Sequence, residues 1–134
     1  MNRDQHKPDH ISSEEWAIRC DLAALYRLIA HFRWTDLIYT HISARLPGPQ
    51  HHFLINDYRR MFHEMRASDL VLIDVEGNKI DDSRPDQIVN RAGFVIHSAI
   101  HGAREDLKCI VHTHSPGLRC RHRSKACCPS ISTR

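Results

Sequence analysis

The sequence predicts an α/β domain built in layers, around a sheet that is mostly antiparallel. Three observations carry this. An amphipathic helical pattern comes first, short alternating or apolar runs bounded by turn residues follow, and a second helical pattern precedes a last apolar run. The order is helix, strands, hairpin, helix, strand.

The first helix is predicted over about residues 13–33, with Ser12 as its cap and Glu15 placed to close a capping box. Ile18, Leu22, Leu25, Ile29 and Phe32 recur at steps of four and three and line one face as core packing. The stretch 39–46 alternates as a half-buried strand, Pro47-Gly48-Pro49 turns the chain, and His52-Phe53-Leu54-Ile55 returns. Residues 56–65 read as a loop with one short helical turn. After Ala67-Ser68-Asp69, the run 70–75 is a buried strand, Glu76-Gly77-Asn78 is turn chemistry, and Lys79-Ile80 is its hairpin partner. A loop over 81–85 leads to a second helix over about 86–103, with Ile88, Ala92, Val95, Ile96, Ala99 and Ile100 as its inward stripe. Glu105-Asp106-Leu107 then connects to Cys109-Ile110-Val111, an apolar run of the kind that fills a buried strand.

That last run ends in the chain's most chemical feature. His112 and His114 are two residues apart, so in an extended chain both imidazoles leave the same face. Ser115-Pro116 ends the strand, because proline cannot continue a ladder. A pair of imidazoles at a strand end, where open α/β sheets place their ligands, suits a borderline-soft divalent ion such as zinc. The same pair also fits surface or hydrogen-bonded histidines. His97 and His101, at i and i+4 on the second helix, could share a metal too; the expected arrangement instead puts one at the core edge and the other in solvent.

A length of 134 residues fits one domain, with 41% apolar and 26% charged residues. No apolar run approaches bilayer length, and residues 1–10 are polar without the apolar core of a secretory signal, so the default expectation is a cytoplasmic protein. Residues 1–11 are expected to be disordered. Net charge is +3, but five basic residues and no acid follow residue 116, which leaves the first 116 at −2. The body therefore gives no reason to expect a nucleic-acid partner. Cys20 and Cys109 read as reduced core residues, while Cys120, Cys127 and Cys128 crowd the tail without zinc-knuckle spacing.

Several stretches together resemble the class II aldolase/adducin domain family. They are 39–45 (YTHISAR), 53–56 (FLIN), 67–70 (ASDL), 74–78 (DVEGN), 93–101 (GFVIHSAIH) and 111–116 (VHTHSP), in the family's order. The resemblance implies a three-layer α/β/α sandwich of the class II aldolase/adducin type, incomplete at its C-terminus, in a family whose members commonly form tetramers. It implies that His112 and His114 are two of three zinc ligands. In the family's sugar-phosphate aldolases the metal stabilises an enediolate, which agrees with a Lewis acid holding oxyanion charge. Adducin itself organises actin and spectrin without known catalysis. Thr40, His41 and Ser43 are pocket residues by position, although strand packing explains them equally well.

Three departures stand out. The aldolases carry a Ser-Ser-Glu segment whose glutamate is the acid/base; the matching positions are Arg91, Ala92 and Gly93, and glycine cannot transfer a proton. Their phosphate-binding Gly-Asn is replaced by Thr40-His41. Their third zinc histidine lies well downstream of the His-x-His; His122 follows closely here, but a ligand from a basic tail is not expected. The first two changes are more similar to the adducin-like branch.

The expectation is therefore an N-terminal portion of the domain over 12–116, followed by a basic tail over 117–134. Shifted reading frames of 117–124 and 126–133 can spell family-like segments, so the tail reads as out of frame; a genuine basic tail for an anionic partner is the alternative. The implied function is a zinc-dependent aldehyde-lyase-type enzyme acting on a phosphorylated sugar or hydroxy-carbonyl substrate, with zinc held weakly by two ligands. The rivals are a non-catalytic adducin-like scaffold and an inactive remnant.

Overall fold

The computed structural model describes residues 7–81 and 83–115. Ser13–His31 form α1, His41–Arg45 form β1, Phe53–Asn56 form β2, Leu70–Ile73 form β3, Arg91–Ala103 form α2 and Cys109–His112 form β4. Short 3-10 turns at Phe62–Glu64 and Ala67–Asp69 fill the loop between β2 and β3. The four strands make one antiparallel sheet in the order β3-β2-β1-β4. None of the described helices is long and apolar enough to cross a membrane.

Strand alternation sorts side chains between two helix layers. Ile42 and Ala44 of β1, Leu54 of β2 and Leu70 of β3 pack with Leu22, Tyr26 and Ile29 of α1. On the opposite face Phe53, Ile55, Val71 and Ile73 gather with Val89 and with Phe94 of α2. The layers are thus helix, sheet, helix, as the family resemblance implies. Because β1 and β2 are covered on both faces, they are buried nearly throughout rather than half-buried.

Helix α1 begins where expected: the Ser12 hydroxyl accepts the Glu15 N–H at 3.1 Å. The Glu15 carboxylate does not turn back to the cap. It receives Arg19 Nε at 2.6 Å, while Arg19 Nη1 donates to the Leu70 carbonyl at 2.7 Å. A buried guanidinium thereby ties α1 to β3, and the buried face shifts to Trp16, Arg19, Leu22, Ala23, Tyr26 and Ile29, leaving Phe32 exposed. Order also starts earlier than expected, since Ile11 is buried and its N–H bonds to the Pro8 carbonyl.

The turn after β3 follows its composition. Asp74 Oδ1 accepts the Glu76 and Asn78 N–H groups, and Gly77 takes φ +87°. A Cβ on Gly77 would stand 2.5 Å from the Phe94 ring, so glycine also lets α2 close onto this turn. The hairpin partner shrinks to a single bridge between Ile73 and Lys79.

Two expectations about the C-terminal half are corrected. The second helix starts at Arg91, capped by the Asn90 side chain, and buries Gly93, His97 and His101. Val95, Ile96 and Ile88 of the expected inward stripe are exposed. The apolar run in β4 occupies a sheet edge and is not buried; Val111 and Cys109 are exposed, and Cys20 is only half-buried. Apolar content alone could not distinguish an edge strand from a central one. Residues 1–6, Pro116 and the basic tail with His122 and its three cysteines lie outside the described residues.

The pivot between α1 and the sheet is Tyr26. Its hydroxyl accepts the Ile42 N–H at 3.1 Å, contacts the Ile42 carbonyl and stands 3.0 Å from Asn56 Oδ1, while its ring meets Phe62 edge-on at 4.5 Å. Tyr26→Phe keeps the packing but strips partners from buried polar groups, so it should lower unfolding free energy by about 1–3 kcal/mol in a denaturant titration.

Candidate functional site

The candidate site lies on the α2 face of the sheet, at its β1–β4 edge. Antiparallel pairing sets His41 opposite His112 and Ser43 opposite Ile110. Position 114 continues the same alternation, and the His112 and His114 rings are 5.0 Å apart, as the two-residue spacing predicts. Helix α2 contributes Gly93, His97 and His101, at successive steps of four.

His41 is the hub. The Nδ1 atom of His112 stands 3.2 Å from its Nδ1 and 3.3 Å from its Nε2, and the His97 ring meets it edge-on at 4.7 Å. Helix α2 can approach only because position 93 is glycine: a Cβ there would lie 2.3 Å from His41 Cδ2. The imidazole fills the volume into which a side chain at 93 would have to begin.

Beneath this hub, Ser43 is fully buried and bridges two histidines. Its Oγ is 2.5 Å from His97 Nδ1 and 2.9 Å from His101 Nε2. The expectation that His97 and His101 divide between core edge and solvent is therefore wrong; both are 0% exposed. They face one way because α2 lies flat on β1, which their i, i+4 spacing allows. One hydroxyl hydrogen cannot serve both rings, so at least one imidazole donates to Oγ. His97 Nε2 and His101 Nδ1 are buried without a hydrogen-bond partner among the described residues. Thr40 is also fully buried, its Oγ1 equally unpartnered among the described residues.

At the open end, His114 Nδ1 lies 2.9 Å from Asp36 Oδ2, and the His114 N–H donates to the Trp34 carbonyl at 3.2 Å. Asp36 belongs to the loop between α1 and β1, and nothing in its neighbourhood along the chain marks it: a single carboxylate 78 residues from its partner has no local pattern. Among the described residues no group of three histidine, cysteine or acidic side chains is arranged to hold a metal. The donors present fit zinc as far as they go, being imidazoles, whose neutral form ligates. Burial holds His97 down to about 3, with His41 and His101 adding repulsion. Burial likewise holds His41 at about 4, helped by His112, and His101 at about 4, helped by Arg45. His112 is lowered as well, by burial and then by His114.

A family model described as the class II aldolase and adducin N-terminal domain matches residues 20–121. The chain belongs to this family. It is 57% identical over 105 residues to a Caulobacter vibrioides protein that carries an aldolase class 2 name, covering 78% of this chain and 40% of that protein. It is 47% identical over 102 residues to alpha-adducin of Rattus norvegicus, covering 76% and 14%. Among solved structures, an aldolase II superfamily protein from Pseudomonas syringae aligns with TM-score 0.76 and 55% identity over 81% of this chain and 43% of that one. L-fuculose 1-phosphate aldolase from Glaciozyma antarctica aligns with TM-score 0.70 and 36% identity, covering 81% and 45%. This class II aldolase/adducin chain thus spans about two-fifths of the Caulobacter relative's length.

The depressed imidazoles give a pH prediction. An unfolded chain takes up these protons near 6.5, whereas the folded chain resists until about 4 for His101 and about 3 for His97. Between those limits the unfolded state binds more protons, so stability is complete above about pH 6.5 and falls as pH drops towards 4. Urea midpoints measured from pH 7.5 to 4 should decline accordingly, and His101→Gln should flatten the decline.

Proposed function

We propose that this chain carries part of a metal-dependent, aldehyde-lyase-type centre that acts on a phosphorylated sugar or hydroxy-carbonyl compound. The observation that supports it most is the pairing of His112 and His114, whose rings meet edge-on 5.0 Å apart at the sheet edge. Those two residues would hold zinc, which when bound supplies Lewis-acid stabilisation of developing oxyanion charge. His41, against His112, is a substrate-side group, with Thr40 next to it in the chain. Ser43 works from underneath, keeping His97 and His101 in place through its hydroxyl. With glycine at 93, this chain offers no carboxylate at the position where the aldolases keep their acid/base.

That same glycine favours a second reading, a non-catalytic adducin-like interaction domain. The His41 ring occupies the space beside Gly93, so the departure is built into the packing. Metal content separates the two readings. After zinc loading and desalting, the enzyme reading expects stoichiometric zinc that His112→Ala or His114→Ala weakens at least about tenfold. A folded, monodisperse chain that retains no zinc would support the scaffold.

A further inference from the structure

We propose that Asp36 is a positioning residue that sets the His114 imidazole for metal binding, with His41 doing the same for His112. This rests on the reading of His112 and His114 as metal ligands, and names what orients them. A carboxylate only accepts hydrogen bonds, so the 2.9 Å contact requires the proton of His114 to sit on Nδ1. In the neutral ring that leaves Nε2 with its lone pair bare. The hydrogen-bonding contacts of the His112 ring among the described residues also run through Nδ1, to the two ring nitrogens of His41, and Nδ1 donates where the His41 nitrogen it meets carries no hydrogen. None of the hydrogen bonds these two rings make among the described residues uses Nε2. Partners that occupy one ring nitrogen fix both the tautomer and the rotation of a ligating histidine, and raise its basicity.

The loop is built to deliver this carboxylate. The His114 N–H reaches the Trp34 carbonyl, so main chain and side chain both tie residue 114 to the loop. A turn closes behind Asp36 through Tyr39 N–H to the Asp36 carbonyl at 2.9 Å, and Leu37 within it takes φ +50°. Asp36 is a third exposed, so its replacement should not cost the fold.

The test is long-range proton–nitrogen correlation of the nitrogen-15-labelled, metal-free full chain at neutral pH, which reads the protonated nitrogen of each imidazole. In the wild type, His114 and His112 should both carry hydrogen on Nδ1. Asp36→Ala should release His114 to the other tautomer, whereas Asp36→Asn, which keeps an acceptor oxygen, should preserve it. Zinc titration in parallel should show a 10- to 100-fold loss of affinity for Asp36→Ala. Hydrogen on Nε2 of His114 in the wild type, or a tautomer unmoved in Asp36→Ala, would overturn the proposal. Zinc held by His112 and His114 but indifferent to Asp36→Ala would overturn it while sparing the metal reading. A wild type that takes up no zinc overturns both.

Discussion

The close approach of α2 to β1 at Gly93 is the constraint on which the rest of this site depends. A helix can lie on a sheet this tightly only where one position carries no side chain, and here the His41 ring takes the vacated volume. From that contact the next two turns of α2 follow. His97 and His101 fall, at steps of four, directly onto Ser43, and the Arg45 side chain reaches the His101 carbonyl at the helix end. A bulkier residue at 93 would tilt the helix away and part these groups together.

This packing also determines the electrostatics. Four imidazoles are gathered here, burial disfavours a charge on all of them, and neighbouring histidines add repulsion at His41, His97 and His112. A neutral histidine cluster is the state in which ring nitrogens can accept hydrogen bonds or ligate a metal. Hydroxyl and carboxylate partners are then placed at its two ends: Ser43 in the interior, Asp36 at the rim. Glycine at position 93 and histidine at position 41 are thus two aspects of one packing arrangement.

Much of the fold was legible. Ser12, the Leu22 to Ile29 stripe, the Gly77 turn and the presence of strands at β1 to β3 follow from capping, periodicity and turn chemistry that act locally. The His112 and His114 pairing was legible for the same reason, because a strand has a period of two. What was missed depends on tertiary partners. The α2 stripe was misassigned because Val95 and Ile96 look like core residues, whereas the polar His97 and His101 are the buried ones, hydrogen-bonded to a serine 54 and 58 residues away and packed on His41 and Phe53. Cys109 to Val111 read as central because edge and centre differ in neighbours, not in composition. The burial of Arg19 and the role of Asp36 carried no signal, since the Leu70 carbonyl that Arg19 reaches and the His114 ring that Asp36 meets lie on distant parts of the chain.

The most direct measurement is a double-mutant cycle on positions 93 and 41, read as unfolding free energy. If the glycine exists to admit the imidazole, Gly93→Ala should be costly in the wild-type background and nearly free once His41→Ala has emptied the space, giving a coupling of about 1–3 kcal/mol. Additive losses, with no coupling between the two substitutions, would contradict the account.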